Sequence, residues 1–213
     1  MSLKPVTEQK TYLNIQGKVE ENNVCFRKTV PEGTPGAKLR KYETSDGKTG
    51  EKWELWYKEV GGTITNVHFF EGDYGKNLII TLDAGLDEPV ELSLGVATRY
   101  GEDVLKKLPN IDFNKQVILT PYGFEPEGKI RQGVSIVQRD CGWKDDKVTG
   151  AFYDPEKKKN LLGMPESGDI DDNEDLKIYF MQARKHMIQY AEKEILPQFE
   201  GVTAEVVAED EEF

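Results

Sequence analysis

The chain has 213 residues and a formal net charge of −11, with 31% charged and 37% hydrophobic residues, the balance of a polar globular chain long enough for one domain with appendages or two small ones. No apolar run approaches the ~20 residues of a membrane span, and no signal-like apolar stretch follows Met1, so no membrane partner is expected. The two cysteines, Cys25 and Cys141, fit neither a disulfide framework nor a zinc site, and the expected setting is reducing and cytoplasmic.

The charge is unevenly spread. Residues 166–213 hold 14 acidic and 4 basic residues, whereas residues 1–165 hold 25 and 24. The body is therefore nearly neutral, and the overall acidity does not argue against a polyanionic partner.

Residues 12–18 (YLNIQGK) predict a first strand and 24–28 (VCFRK) its hairpin partner. Pro31, Gly33, Pro35 and Gly36 then open a loop bearing Lys38, Arg40, Lys41 and Tyr42. Residues 52–60 (KWELWYKEV) alternate, with Trp53, Leu55 and Tyr57 on one face and Glu54, Trp56 and Lys58 on the other. Gly61-Gly62 predicts a tight turn. Strands follow at 63–70 and 77–82, joined by the glycine-bracketed loop EGDYGK, and at 90–94. Over 97–108 the period becomes helical, with Val104, Leu105 and Leu108 aligned and Pro109 as the stop. Two more strands lie at 116–122 and 131–139, followed by a loop-like stretch to Pro165.

Five strands with one helix between the third and fourth is the order of an OB-fold barrel, with another small barrel or an α+β sheet as the alternatives. The expected fold class is mainly β: an OB-fold-like five-stranded barrel with an extra N-terminal β-hairpin layer and a C-terminal α-helix. Residues 169–175 (DIDDNED) resemble a calcium loop but put Glu174 where that loop needs glycine and Phe180 where it needs glutamate. They read instead as the acidic opening of a helix over 174–196, ended by Pro197. That helix is expected to pack on the barrel, with pairing between two copies, a homodimer, as the alternative. The domain reading is a nucleic-acid-binding body at 1–165, the packed helix at 166–200 and a disordered acidic tail at 201–213.

Catalytic signatures are scarce. There is no glycine-rich phosphate loop, and His68 and His186 lack partners spaced for zinc or a triad. No cofactor, metal or enzymatic activity is expected, although catalytic residues distant in sequence would escape this reading.

The body instead interleaves rings and cations. Single-stranded nucleic acid needs that mixture, because flat rings stack on bases and cations track phosphates. The candidate binding residues are Lys38, Arg40, Lys41, Trp56, Lys58, Tyr74, Lys76, Arg99, Tyr100, Tyr122, Phe124, Lys129, Arg131, Arg139 and Trp143. Trp53 and Phe69 read as core, since strands in small barrels need large inward side chains. The tail ends in Glu209, Asp210, Glu211, Glu212 and Phe213, a charged run with one terminal ring, suited to a basic groove with a pocket.

The strand and helix order across 63–139, the segment Thr98-Arg99-Tyr100 to Leu108-Pro109-Asn110-Ile111-Asp112, and the ending Glu209–Phe213 resemble bacteriophage single-stranded DNA-binding proteins. The chain lacks the long Gly/Pro/Gln-rich linker of the bacterial ones. The resemblance implies a non-sequence-specific single-stranded DNA-binding protein of replication, recombination and repair, acting in the cytoplasm of a bacterial host. It implies a tail that competes with DNA for the groove and, once displaced, recruits replication or recombination proteins. The competing expectation is an OB-like module for oligosaccharide or peptide, or a structural module, without a nucleic-acid role.

Overall fold

The alternating apolar residues of the body meet in one large sheet. The structure is a computed structural model and describes residues 10–17, 19, 23–43, 47–73, 75–139, 145–167 and 172–200. In chain order its elements are β1 (Thr11–Gln16), β2 (Cys25–Val30), β3 (Lys38–Glu43), β4 (Thr49–Tyr57), β5 (Val60–Gly72), β6 (Gly75–Asp83), β7 (Val90–Gly95), α1 (Arg99–Lys107), β8 (Gln116–Phe124), β9 (Arg131–Arg139), β10 (Asp145–Lys147), β11 (Tyr153–Asp154), β12 (Lys159–Asn160) and α2 (Asn173–Tyr190). Ten strands form a sheet in the order β10-β9-β8-β5-β6-β7-β1-β2-β4-β3, and β11 pairs with β12 alone. Neighbours in the large sheet are antiparallel except β1 and β7, which run parallel.

The two-residue period of the strands sorts side chains by face. Leu78, Ile80 and Leu82 of β6, Leu92 of β7, Val117 of β8, and Val134 and Ile136 of β9 are buried on one face. Val104, Leu105 and Leu108 add the apolar stripe of α1 to that core, and Met187, Ala191 and Ile195 add the C-terminal helix. Each such side chain stabilises the fold by roughly 1.5–3 kcal/mol.

The five strands and the helix read as a barrel are all present, as β5, β6, β7, α1, β8 and β9, but the sheet is not closed into a barrel. Closure would leave β7 free to reach β9. Here β1 occupies the open edge of β7, and the edge of β9 is shared, β10 pairing with Val137–Arg139 and α1 covering Val134. Asp103 Oδ2 accepts the Val134 N–H at 2.8 Å. Lys107 Nζ donates to the Val134 carbonyl at 2.6 Å and pairs with Asp103 at 2.6 Å. An ion pair on the helix thus takes the hydrogen bonds that a neighbouring strand would have made to Val134. Gly133 permits the approach, since a Cβ there would collide with Asp103 Oδ2 and the Tyr122 hydroxyl.

Three other expectations change. Residues 38–43 form edge strand β3 rather than loop, because they pair residue by residue with β4 from Lys38↔Glu54 to Glu43↔Thr49. Gly61 and Gly62 lie inside β5, where Gly62 lets the chain pass the Asp83 backbone closely. The C-terminal helix is capped by Asp172, whose carboxylate accepts the N–H groups of Glu174 at 2.7 Å and Asp175 at 2.8 Å. Its packing is one-sided along its length: Ala183 and Met187 are buried, whereas Ile178, Phe180 and Met181 are exposed. A π-helical turn at Ala191–Ile195 then turns Ala191 and Ile195 into the core. Among the described residues no helix is long and apolar enough to cross a membrane.

Candidate nucleic-acid interface

The face opposite the core collects seven of the fifteen predicted binding residues. Strand register carries one side of the sheet from β3 to β9 through the pairs Arg40↔Lys52, Trp56↔Arg27, Arg27↔Asn14, Asn14↔Ser93, Ser93↔Ile79, Ile79↔His68 and, past an irregularity after Ile64, Thr63↔Gln116 and Gln116↔Arg139. By the two-residue period, Lys38, Arg40, Lys52, Trp56, Arg27, Tyr12, Phe70, Tyr122, Phe124 and Arg131 all share this side.

At the β2–β4–β3 end the face is basic and organised around a buried acid. Glu54 is 1% exposed and Arg27 6%. Arg27 Nη1 donates to Glu54 Oε2 at 3.3 Å, and Arg40 Nε donates to Glu54 Oε1 at 2.8 Å. Two guanidinium groups share one carboxylate, so a net positive charge remains. The Trp56 ring lies between the strands that supply its cations, with the Arg27 guanidinium 4.1 Å and the Lys38 ammonium 4.6 Å from its centroid. Tyr42 receives Arg40 at 5.4 Å and Lys52 at 5.3 Å. A groove of about 540 Å³ beside them is lined by Gln16, Asn23, Arg27, Arg40, Tyr42 and Trp56 among others.

The β8–β9 end mixes rings with both signs of charge. Phe124 stands opposite Arg131, and its ring centroid is 5.9 Å from that of Tyr122. Arg99 at the start of α1 donates to the Ile130 carbonyl at 2.7 Å, tying the helix to the β8–β9 loop. A groove of about 740 Å³ runs between them, lined by Arg99, Arg131, Arg184, Tyr122, Glu102 and Asp103 among others. Glu102 is already engaged there, with Lys106 at 2.6 Å and Arg184 at 3.4 Å. Burial, and next the charge of Asp103, raise the Tyr122 hydroxyl above its ordinary value of 10.0, with Arg131 opposing. Tyr100 is raised by burial, with the neighbouring Gln132 side chain opposing.

The remaining predicted residues scatter. Lys41 falls on the opposite side of β3 and pairs with Glu51 at 3.2 Å. Lys76 holds the C-terminal helix through Glu192 at 2.9 Å and lies over Phe69 at 5.0 Å. Lys58 and Lys129 are exposed, whereas Arg139 stays on the shared face, at the far end of β9 opposite Gln116. Tyr74, Trp143 and the tail residues Glu209–Phe213 lie outside the described residues.

The structure adds Arg27, Lys52, Tyr42 and Glu54 to the site. A charged residue at a core-like position of a strand, as in Cys25-Phe26-Arg27, was the available signal for Arg27; its pairing with Trp56 is set by register alone. It also alters the roles of the rings. Trp56 is covered by cations, whereas Tyr12, Phe70 and Phe124 are 58%, 57% and 50% exposed on the same side. Among the described residues no cluster of His, Cys, Asp and Glu could hold a metal ion. Compared against family models, curated proteins and solved structures, the chain matches none of them.

Proposed function

We propose that the protein binds single-stranded DNA without sequence preference across the face opposite its core, and that it is not an enzyme. The observation that carries this reading is the sharing of one sheet face by exposed rings (Tyr12, Phe70, Phe124) and by cations at both ends (Arg27, Lys38, Arg40, Lys52; Arg131). Rings at about 1–3 kcal/mol per stacked base supply affinity without reading sequence, and the cations follow the phosphates. The strand order β7-β6-β5-β8-β9 with α1 between β7 and β8 supports an OB-like arrangement of this part. In such folds the loops between the first two and the last two strands flank the ligand; the latter is residues 125–130 here. The middle of the face, at β6 and β7, holds Asn77, Ile79, Thr81, Glu91 and Ser93, of which Ile79, Thr81 and Glu91 are buried, and Lys10 is engaged there by Glu91 at 2.7 Å, so the phosphate contacts lie at its ends.

The acidic ending Glu209–Phe213 competes for the same cations when DNA is absent. Displaced by DNA, it becomes available to replication or recombination proteins.

Fluorescence anisotropy of labelled oligo-dT tests the reading. Binding is expected to weaken with salt at a log–log slope of about −3, the value for four phosphates neutralised on a single strand. No binding at low salt overturns it. Salt-independent binding of an oligosaccharide or a peptide in place of DNA points to the other class of OB-like module.

A further inference from the structure

Trp56 is the largest ring on the face, yet its surface is taken by Arg27 at 4.1 Å and Lys38 at 4.6 Å. What remains is its edge. We propose that the groove beside it is a phosphate subsite, in which Trp56 Nε1–H, Arg27 Nε–H and the Nη groups of Arg40 receive the oxygens of one phosphodiester. The proposal deepens the single-strand reading and rests on it for the source of the phosphate.

The first support is the buried acid. Glu54, 1% exposed, takes one N–H from Arg27 and one from Arg40. It fixes both guanidinium planes and leaves their other donors unspent. An oriented guanidinium meets phosphate through several N–H groups at once, which a lysine cannot do.

The second support is a pair of orphaned donors. Arg27 Nε and Trp56 Nε1 are buried and have no hydrogen-bond partner. Buried donors are seldom left unmet in a folded protein, and both belong to residues that line the same groove. Arg27 is itself more than nine-tenths buried, so water is a poor substitute partner.

The third support is charge and shape. Arg27, Arg40 and Lys41 with the neighbouring Lys38, against Glu54 and the groove-lining Glu43, leave a net of about two positive charges beside a groove of about 540 Å³. Lys38 is exposed and forms no ion pair among the described residues, so it can swing aside to admit an anion. Donors from three side chains on three strands suit a tetrahedral oxyanion better than a planar carboxylate.

Nuclear magnetic resonance on the ¹⁵N-labelled full chain tests this through the Trp56 indole N–H, assigned by its loss in Trp56→Phe. The probes are 5′-dTMP, thymidine, acetate and oligo-dT. The indole signal is expected to move with 5′-dTMP and oligo-dT and to stay still with thymidine and acetate. Trp56→Phe keeps a smaller aromatic ring between the cations and removes the N–H with the rest of the indole; it is expected to lower oligo-dT affinity about three- to tenfold. An equal shift with thymidine overturns the proposal in favour of base stacking. An equal shift with acetate overturns it in favour of a general anion site. Oligo-dT binding with a still Trp56 signal removes the subsite and leaves the single-strand reading standing. A shift with 5′-dTMP without oligo-dT binding keeps the phosphate site and removes the single-strand reading.

Discussion

The two ends of the outer face use the same residue types in opposite ways. At the β2–β4–β3 end the ring is enclosed: Trp56 lies among Arg27 and Lys38, and a buried Glu54 holds the guanidinium groups in place. At the β8–β9 end the ring is open: Phe124 is 50% exposed and stands opposite Arg131, and in the neighbouring groove Glu102 of α1 engages Lys106 and Arg184. An enclosed ring holds cations in fixed places, and an anion needs only the Lys38 side chain to move. An open ring offers its own surface, and each base it stacks contributes to affinity. The difference teaches that a Trp between lysines in a sequence does not by itself identify a stacking platform; its neighbours across the sheet decide.

This contrast can be broken experimentally, and the largest effect is expected at the buried acid. Glu54→Ala strands two guanidinium groups, one of them fully buried, and should destabilise the fold by about 3 kcal/mol, read as a lower urea midpoint. A loss below about 1 kcal/mol would show that the Arg27–Glu54–Arg40 group is not held as described. Gly133→Ala acts on the other end. The new Cβ pushes Asp103 from Val134, so about 2 kcal/mol of stability and the hydrogen-exchange protection of the Val134 amide should be lost together.

Binding effects come next. Phe124→Ala should reduce oligo-dT affinity about tenfold while leaving stability within about 0.5 kcal/mol, since the ring is half exposed. Equal affinity for both forms would move the stacking surface to Tyr12 and Phe70. Removing residues 203–213 should tighten oligo-dT binding about threefold at low salt, with the gain shrinking as salt screens the tail. Unchanged or weaker binding by the shortened chain would remove the competing tail.

The smallest effect is alkaline. Tyr100 and Tyr122 both have hydroxyls raised above 10.0 by burial. The folded state therefore keeps tyrosine neutral where the unfolded chain ionises it. Stability from these groups is intact below about pH 10 and falls as pH rises through the folded values. Replacing both tyrosines by phenylalanine should flatten that decline in urea midpoints measured up to pH 11.

Much of this arrangement is legible in the sequence where periodicity is strong. Leu78, Ile80 and Leu82 alternate as a strand must, and Val104, Leu105 and Leu108 fit only a helix, so the order β5-β6-β7-α1-β8-β9 follows from local pattern. Residues 38–43 carry no apolar alternation because an edge strand needs little burial, and they read as loop. The open sheet was hidden for a different reason. Whether β7 meets β9 or β1 depends on residues about 40 to 80 positions apart, and nothing local to Val134 announces that Asp103 and Lys107 will take its hydrogen bonds. The site shows the same division. Tyr122, Phe124 and Arg131 share a face by simple counting across a hairpin, whereas Arg27 reaches Trp56 only through the pairing of β2 with β4.

The edge strand β3 has a consequence for the protein in crowded solution. It ends the large sheet, so one row of its backbone N–H and C=O groups faces outward without a partner strand, and such rows are templates on which other chains polymerise. Lys38, Arg40, Lys41 and Glu43 make four of its six residues charged. A parallel copy of the same strand would bring like charges into register with them, and an antiparallel one would set Arg40 against Lys41, at a cost that grows with every added chain. The cations that favour a polyanion on the face thereby also keep the sheet from growing into a fibril.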